Sequence, residues 1–303
     1  MANPVVSSLP AYVEQNQTPL IAKLAFGLDS AKLFTVQTGC KGPTAINTLT
    51  AALRPKNKSN AGGSCGWDDS NNKVTLSQRT INAMPMTANL SICDAILVGK
   101  YAQNKVRWAA GEEVLPFEEE FCNEIIRSWG DNLDYAIVNG GAFYGIEDGQ
   151  ALVHQLVNDS AVIKPTLAIA DGAYANIQKV YEAIPADIVF DEDTTILVDN
   201  ATYREFVTAL VEKNLYHWDG KLDKEGVYFP GSTVKVKPFH ALLKNTYFAY
   251  NKKEMFYGTD LEGDSEKLDV WYSKDNQEFR VAIKTIAGLQ YAFSDHVVYA
   301  VAA

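Results

Sequence analysis

The chain has 303 residues, 47% hydrophobic and 21% charged, which is apolar material for one large core or two modest ones and excludes a chain disordered over most of its length. No run approaches the roughly 18 uninterrupted apolar residues of a spanning helix, and the first 22 residues hold no Lys or Arg to open a signal peptide, so synthesis in the cytosol is expected. The net charge of -10 is divided by sign: residues 1–110 hold 11 Lys+Arg against 5 Asp+Glu, a balance of +6, and residues 111–303 hold 16 against 32, a balance of -16.

From Met1 to about Leu53, short apolar runs are mixed with Pro4, Pro10, Pro19 and Pro43, and the pattern predicts an extended arm with one short helix near Leu20 to Phe26. The text from Arg54 to Asn72 is polar and rich in Gly, Asn and Ser, which predicts a loop. Val74 to Leu90 reads as short strands interrupted at Pro85, so that loop and strands together make a hairpin-like projection. Between Pro116 and Asn139, Phe117, Phe121, Ile125, Trp129, Leu133 and Ile137 recur every fourth residue, which predicts one long amphipathic helix. Pro116 suits its first turn, Glu118 to Glu120 its positive end, and Gly140-Gly141 its termination.

Beyond it, a mixed α/β unit is predicted: a helix near Tyr174 to Ala183, a buried strand Thr195 to Val198, and a helix from about Thr202 to Asn214 capped by Asp199 or Asn200. Strands Val234 to Lys237 and Tyr247 to Tyr250 complete it. The last stretch reads as strand: Leu268 to Tyr272, a turn at Lys274 to Asn276, Glu278 to Ile286, Leu289 to Phe293, and Val297 to Val301 after a turn at Ser294-Asp295. A long, half-buried antiparallel hairpin is implied, with Phe279, Val281 and Ile283 on one face and Arg280 and Lys284 on the other.

Candidate chemistry is sparse. Cys40, Cys65, Cys93 and Cys122 form no CxxC pair and read as reduced, structural thiols. Gly62-Gly63-Ser64-Cys65-Gly66 fits G-x-S-x-G, but a nucleophile elbow needs a strand before the serine and a helix after it, and both flanks are loop-like. Glu118, Glu119 and Glu120 point in different directions on a helix and cannot converge on one substrate atom. Asp191-Glu192-Asp193 lacks the glycine and the distal glutamate of a calcium loop, and His154, His217, His240 and His296 share no ligand spacing. Neither a P-loop nor G-x-G-x-x-G is present. No catalytic residue, metal or cofactor is therefore assigned, and no enzyme activity is expected. The basic residues of the front part are too thinly spread for a dedicated DNA-binding module. They suit a positive arm resting on the negative body of a neighbouring copy, with Arg54, Lys56, Lys58, Lys73 and Arg79 as candidate assembly contacts.

The order of these elements resembles the Hong Kong 97 fold, the shell fold of tailed-phage major capsid proteins and of bacterial encapsulins. The resemblance spans nearly the whole chain and is carried by stretches such as GGSCGW, LPFEEEFCNEIIRSW, TTILVDNATYREFVTALVEKN, FPGSTVKVKPFHAL and VWYSKDNQEFRVAIKTIAGLQYAF. It implies an α+β chain with an N-terminal arm (1–53), an extended loop (54–105), a peripheral domain with a spine helix (106–144 and 256–303) and an axial domain (145–255). It implies hexamers and pentamers closing into an icosahedral virion shell around double-stranded DNA, without sequence-specific binding. A portal, a separate scaffolding protein, decoration proteins and assembly in the host cytoplasm are implied with it. An encapsulin-type compartment shares the fold and is the alternative; a monomeric α/β enzyme built around Ser64 is a third reading. Lys56, Lys58 and Lys73 are also candidate donors for a covalent cross-link, with no acceptor assigned.

Overall fold

A computed structural model describes residues 4–53, 72–93, 99, 117–146, 149–215, 226–260 and 267–303, with the side chains of residues 4–8, 25 and 26 left aside. Three helices open the chain: α1 (Pro4–Gln15), α2 (Gln17–Phe26) and the short α3 (Asp29–Leu33). The expected extended arm is therefore helical over this stretch, and only α2 matches the helix read from the sequence. The prolines do not prevent this. Pro4 begins α1 and Pro19 lies in the first turn of α2, where no intrahelical N–H is needed; Pro10 alone sits inside a helix. What drives folding is the apolar spacing: Leu9 and Val13, then Leu20 and Leu24, fall four apart and are all buried.

Those residues pack on α4 (Phe117–Asn139), the long helix predicted from the four-residue recurrence. Its first turn carries Glu118, Glu119 and Glu120 at the positive end of the helix dipole. It stops at Gly140 and Gly141, whose φ angles of 70° and 120° favour glycine. A Cβ on Gly140 would also come within 2.7 Å of the Ala151 side chain, on the approach to α5 (Leu152–Asn158).

Two five-stranded sheets carry the body. In the first, β11 (Glu278–Tyr291) is the shared strand: it pairs antiparallel with β10 (Lys267–Ser273), with β4 (Met84–Cys93) and with β9 (Met255–Gly258). Strand β1 (Thr35–Gln37) joins parallel to β9. Phe279, Val281 and Ile283 are buried and Lys284 is exposed, the alternation predicted from the sequence; from Thr285 to Tyr291 every residue is buried. The predicted break within 286–289 is absent, because β11 runs on from a half-buried surface into the centre of the molecule.

The second sheet has the order β12-β8-β5-β7-β6: Val298–Val301, Thr246–Asn251, Thr194–Val198, Lys235–Pro238 and Val227–Tyr228. Helices α6 (Gly172–Ala183) and α7 (Asn200–Glu212) supply its core with Ile177, Val180, Phe206 and Leu210. Asp199 is the N-cap of α7, accepting from the amides of Ala201 and Thr202 at 2.9 and 3.1 Å, and it also accepts from the Asn245 amide at 3.0 Å. One expectation changes here. The last strand does not extend the β10–β11 hairpin but pairs with β8, so the chain end edges the second sheet. The turn at Ser294-Asp295 redirects the chain rather than folding it back. A third cluster, with Leu133, Ile137, Phe248, Tyr250, Tyr257 and Tyr291, fuses the two sheets and α4. Among the described residues no helix is long and apolar enough to cross a membrane.

Candidate assembly surfaces

A two-stranded antiparallel ladder, β2 (Pro43–Ala52) with β3 (Lys73–Asn82), leaves this body. It lies earlier in the chain than the sequence suggested, because its outgoing strand falls within the stretch assigned to the arm. Strand β4 belongs instead to the first sheet. Pro85 is no break: it sits inside β4, an edge strand, where a missing N–H removes no second ladder.

The base of the ladder is pinned by close packing. Ile46, Ile81 and Ala83 are buried with Cys40, Ile286 and Ala292. Two glycines permit this approach. A Cβ on Gly258 would meet Ile81 Cγ2 at 2.8 Å, and one on Gly288 would meet the Asn82 carbonyl oxygen at 2.7 Å and Ala83 Cα at 2.9 Å. Gln290 Nε2 donates to the Thr80 carbonyl at 3.0 Å. Arg79 donates from Nη2 to Asp159 Oδ2 at 2.8 Å and to the Ser294 hydroxyl, and its guanidinium lies 4.3 Å from the Tyr291 ring centre. Burial by itself would push the Asp159 carboxyl up. Bonds from Arg79, the Ala161 amide, Ser294 and Tyr291 reverse that and hold it well below the usual carboxylate range. Arg79, a candidate assembly contact, is thus engaged within its own chain.

Away from the base the ladder is exposed. Its register pairs Leu49 with Leu76 and Ala51 with Val74, which places these four side chains on one face. Leu49, Leu76 and Val74 are 65%, 71% and 60% exposed, and Leu53 beyond them is 70% exposed. Strands at these positions usually turn apolar residues inward, and a lone two-stranded ladder is marginal in water, so this stripe asks for a cover. Lys73 lies exposed at the same end. Arg54, Lys56 and Lys58, with Ser64 and Cys65, lie outside the described residues.

An open apolar groove of about 600 Å³ lies between α4 and the β4–β11 sheet. Met86, Leu90, Ile125, Trp129, Leu133 and Phe143 line it together with Glu124. Phe143 is 92% exposed, and Trp129 Nε1 is buried without a hydrogen-bond partner among the described residues. The stripe spans about 13 Å from Leu49 to Leu53, and the β4 wall from Met86 to Leu90 spans about the same. No single residue announced these surfaces in the sequence; the signal was the apolar text TLTAAL and VTL beside a polar loop.

The remaining candidates are structural where they are described. Asp191 accepts from the Asp193 amide and Asn251, and Lys253 lies 3.5 and 2.7 Å from the Asp191 and Asp193 carboxylates. His296 Nδ1 sits 2.9 Å from Glu254. Cys40 and Cys122 are buried free thiols and Cys93 is exposed; burial pushes the Cys122 thiol up to about 11. Among the described residues no group of His, Cys, Asp and Glu is arranged to hold a metal ion.

No protein-family model matches the chain, and no curated protein sequence does. Solved structures do. A chain of the satellite phage P4 procapsid, a structure that includes the size determination (Sid) protein, covers 94% of this chain over 98% of its own length, at 9% identity and a TM-score of 0.60. This is the fold of capsid proteins. The Gordonia phage Cozz structure agrees, at 10% identity and a TM-score of 0.58 over 90% of this chain and 85% of its own. The virus-like particle from Pyrococcus furiosus matches at 7% identity and a TM-score of 0.56, covering 95% of this chain and 99% of that one. At such identities the capsid likeness is one of fold, extending end to end.

Proposed function

We propose that this chain is the major capsid protein of a tailed bacteriophage, assembling as hexamers and pentamers into an icosahedral shell that encloses double-stranded DNA. The observation that carries the reading is the end-to-end likeness of its fold to phage capsid chains. In the terms of the Hong Kong 97 fold, the β2–β3 ladder is the extended loop, α4 the spine, the first sheet the peripheral domain and the second sheet the axial domain. Portal, scaffolding and decoration proteins belong to this proposal as partners.

The shell contact follows from two unfilled surfaces on one molecule. The apolar face of the ladder, carrying Leu49, Leu76 and Val74, rests in the α4–β4 groove of a second copy. Each burial contributes roughly 25 cal/mol per Å² less the cost of ordering, and repetition around a closed surface makes modest contacts sufficient. Lys73 lies exposed at this end of the ladder, and its charge, with those of Arg54, Lys56 and Lys58 nearby in sequence, favours the acidic body of the neighbour, whose groove is lined in part by Glu124.

Replacing Leu49 and Leu76 together by Thr, a polar residue that strands accommodate, tests this contact. Both are exposed in the single subunit, so the variant keeps the wild-type circular dichroism spectrum and melting temperature but yields no particles by electron microscopy. Unchanged particle yield from a folded variant removes the ladder from the interface. Reversing Arg54, Lys56 and Lys58 to Glu lowers the yield and flattens its dependence on salt; unchanged yield and salt dependence remove the charge argument. A second reading, an encapsulin-type compartment, draws on the likeness to the Pyrococcus furiosus particle. The contents of purified particles separate the two: nuclease-protected DNA for the phage shell, a cargo protein for the compartment.

A further inference from the structure

Where α3, α4 and the β7–β8 connection meet, four titratable side chains face one another. His240, from the connection, places Nδ1 3.2 Å from Asp29 Oδ2 on α3. Its Nε2 lies 3.9 Å from Asp131 and 3.9 Å from Asp134, both on α4, too far for a hydrogen bond. Asp134 is 1% exposed and accepts from the amides of Asp29 and Ser30 at 2.9 and 3.4 Å, so a carboxylate of α4 caps the first turn of α3. Two other contacts tie the same parts: Asn139 Nδ2 donates to the Ala241 carbonyl at 2.6 Å, and Tyr250 OH to the Leu33 carbonyl at 3.0 Å.

We propose that His240 is a proton-operated latch: protonated, it ties the N-terminal helical segment to α4 and the second sheet, and neutral, it releases α3 from them. The charge count at the junction supports this. Three carboxylates converge, and among the described residues the other cations near them sit at the edge: Lys32, 61% exposed and 3.1 Å from Asp29, and Lys23 and Arg127 lining the adjoining cleft with Asp29, Asp131 and Asp134. Lys252 directs its ammonium to the Lys32 carbonyl instead. Lysine and arginine ordinarily titrate far above neutrality, which leaves histidine as the cation that changes near pH 7.

The Asp29 carboxylate, and then those of Asp134 and Asp131, raise the His240 imidazole above 6.5, so its contribution is complete below that value and is lost as pH rises through the folded-state pKa. Burial pushes Asp134 up from 3.8 to about 6, and its contribution also fades with rising pH. The bond to His240, helped by Lys32, holds Asp29 down to about 2, so its share is lost only in strong acid. The junction is therefore tightest in mild acid and loosens as His240 discharges.

Hydrogen exchange of the full-length protein, followed by mass spectrometry from about pH 5.5 to about pH 8.5 and corrected for intrinsic rates, reads the latch directly. Amides of residues 28–34 in wild type lose protection several-fold across the range, with a midpoint near the imidazole titration measured by NMR, while those of α7 do not change. In His240→Gln the same amides exchange faster at low pH, and their pH dependence shrinks to the part left by Asp134, with a midpoint near pH 6. A wild-type profile that is flat, or one that survives His240→Gln unchanged, overturns the proposal. Should the variant fail to fold, the wild-type midpoint decides: displacement from the imidazole titration also overturns it.

Discussion

Arg79 illustrates what a single side chain does here. Its charge, one of a scatter of basic residues in the sequence, is taken up by Asp159, Ser294 and the face of Tyr291, side chains distant in sequence that a one-dimensional reading has no means to bring together. The depressed Asp159 carboxyl makes the bond a source of stability above about pH 3.8, lost as the pH falls through the folded-state value. Arg79→Met is accordingly expected to lower stability by about 1.5–3 kcal/mol at neutral pH and to abolish part of the wild-type loss of stability in acid. Urea denaturation at about pH 7 and about pH 3 measures both. Equal destabilisation at the two values contradicts the assignment. By contrast, Asp199 was legible as a cap, because an acidic residue before a helical period has a local cause.

At the scale of elements, legibility followed the range of the interactions that decide each one. Helix α4, helices α6 and α7, strands β5, β7, β8 and β10, and the alternation along the first half of β11 were all visible, since periodicity and capping act within a few residues. Helix α1 was not, because proline counts argue against a helix while the burial of Leu9 and Val13 against α4 and β10 outweighs them. The partner of β12 was hidden for a similar reason: a turn and a strand read alike whether the chain folds back or crosses to another sheet. The position of the ladder was missed because β2 lies in proline-flanked text, and its pairing with β3 closes across residues 53–72. Its base predicts a clear outcome. Gly288→Ala drives a methyl into the Asn82 carbonyl and Ala83 Cα, backbone atoms that cannot step aside, and should cost about 1–3 kcal/mol by thermal or urea unfolding. A neutral or stabilising effect would show that the ladder base is loosely held.

For the whole molecule, the division of charge between front and body and the scarcity of catalytic residues in the sequence suit a chain that associates with itself. What sequence could not supply was the surface itself, since an exposed apolar stripe and an open apolar groove become visible only after the rest of the apolar residues have been placed in cores. The account rests on this chain meeting copies of itself. Mass measurement of the purified protein by light scattering, with negative-stain microscopy of the same sample, tests that most directly. Closed shells of uniform diameter, or capsomers that convert to shells as concentration rises, are predicted; a 33.3 kDa monomer persisting at high concentration, with no particles on the grid, would contradict it.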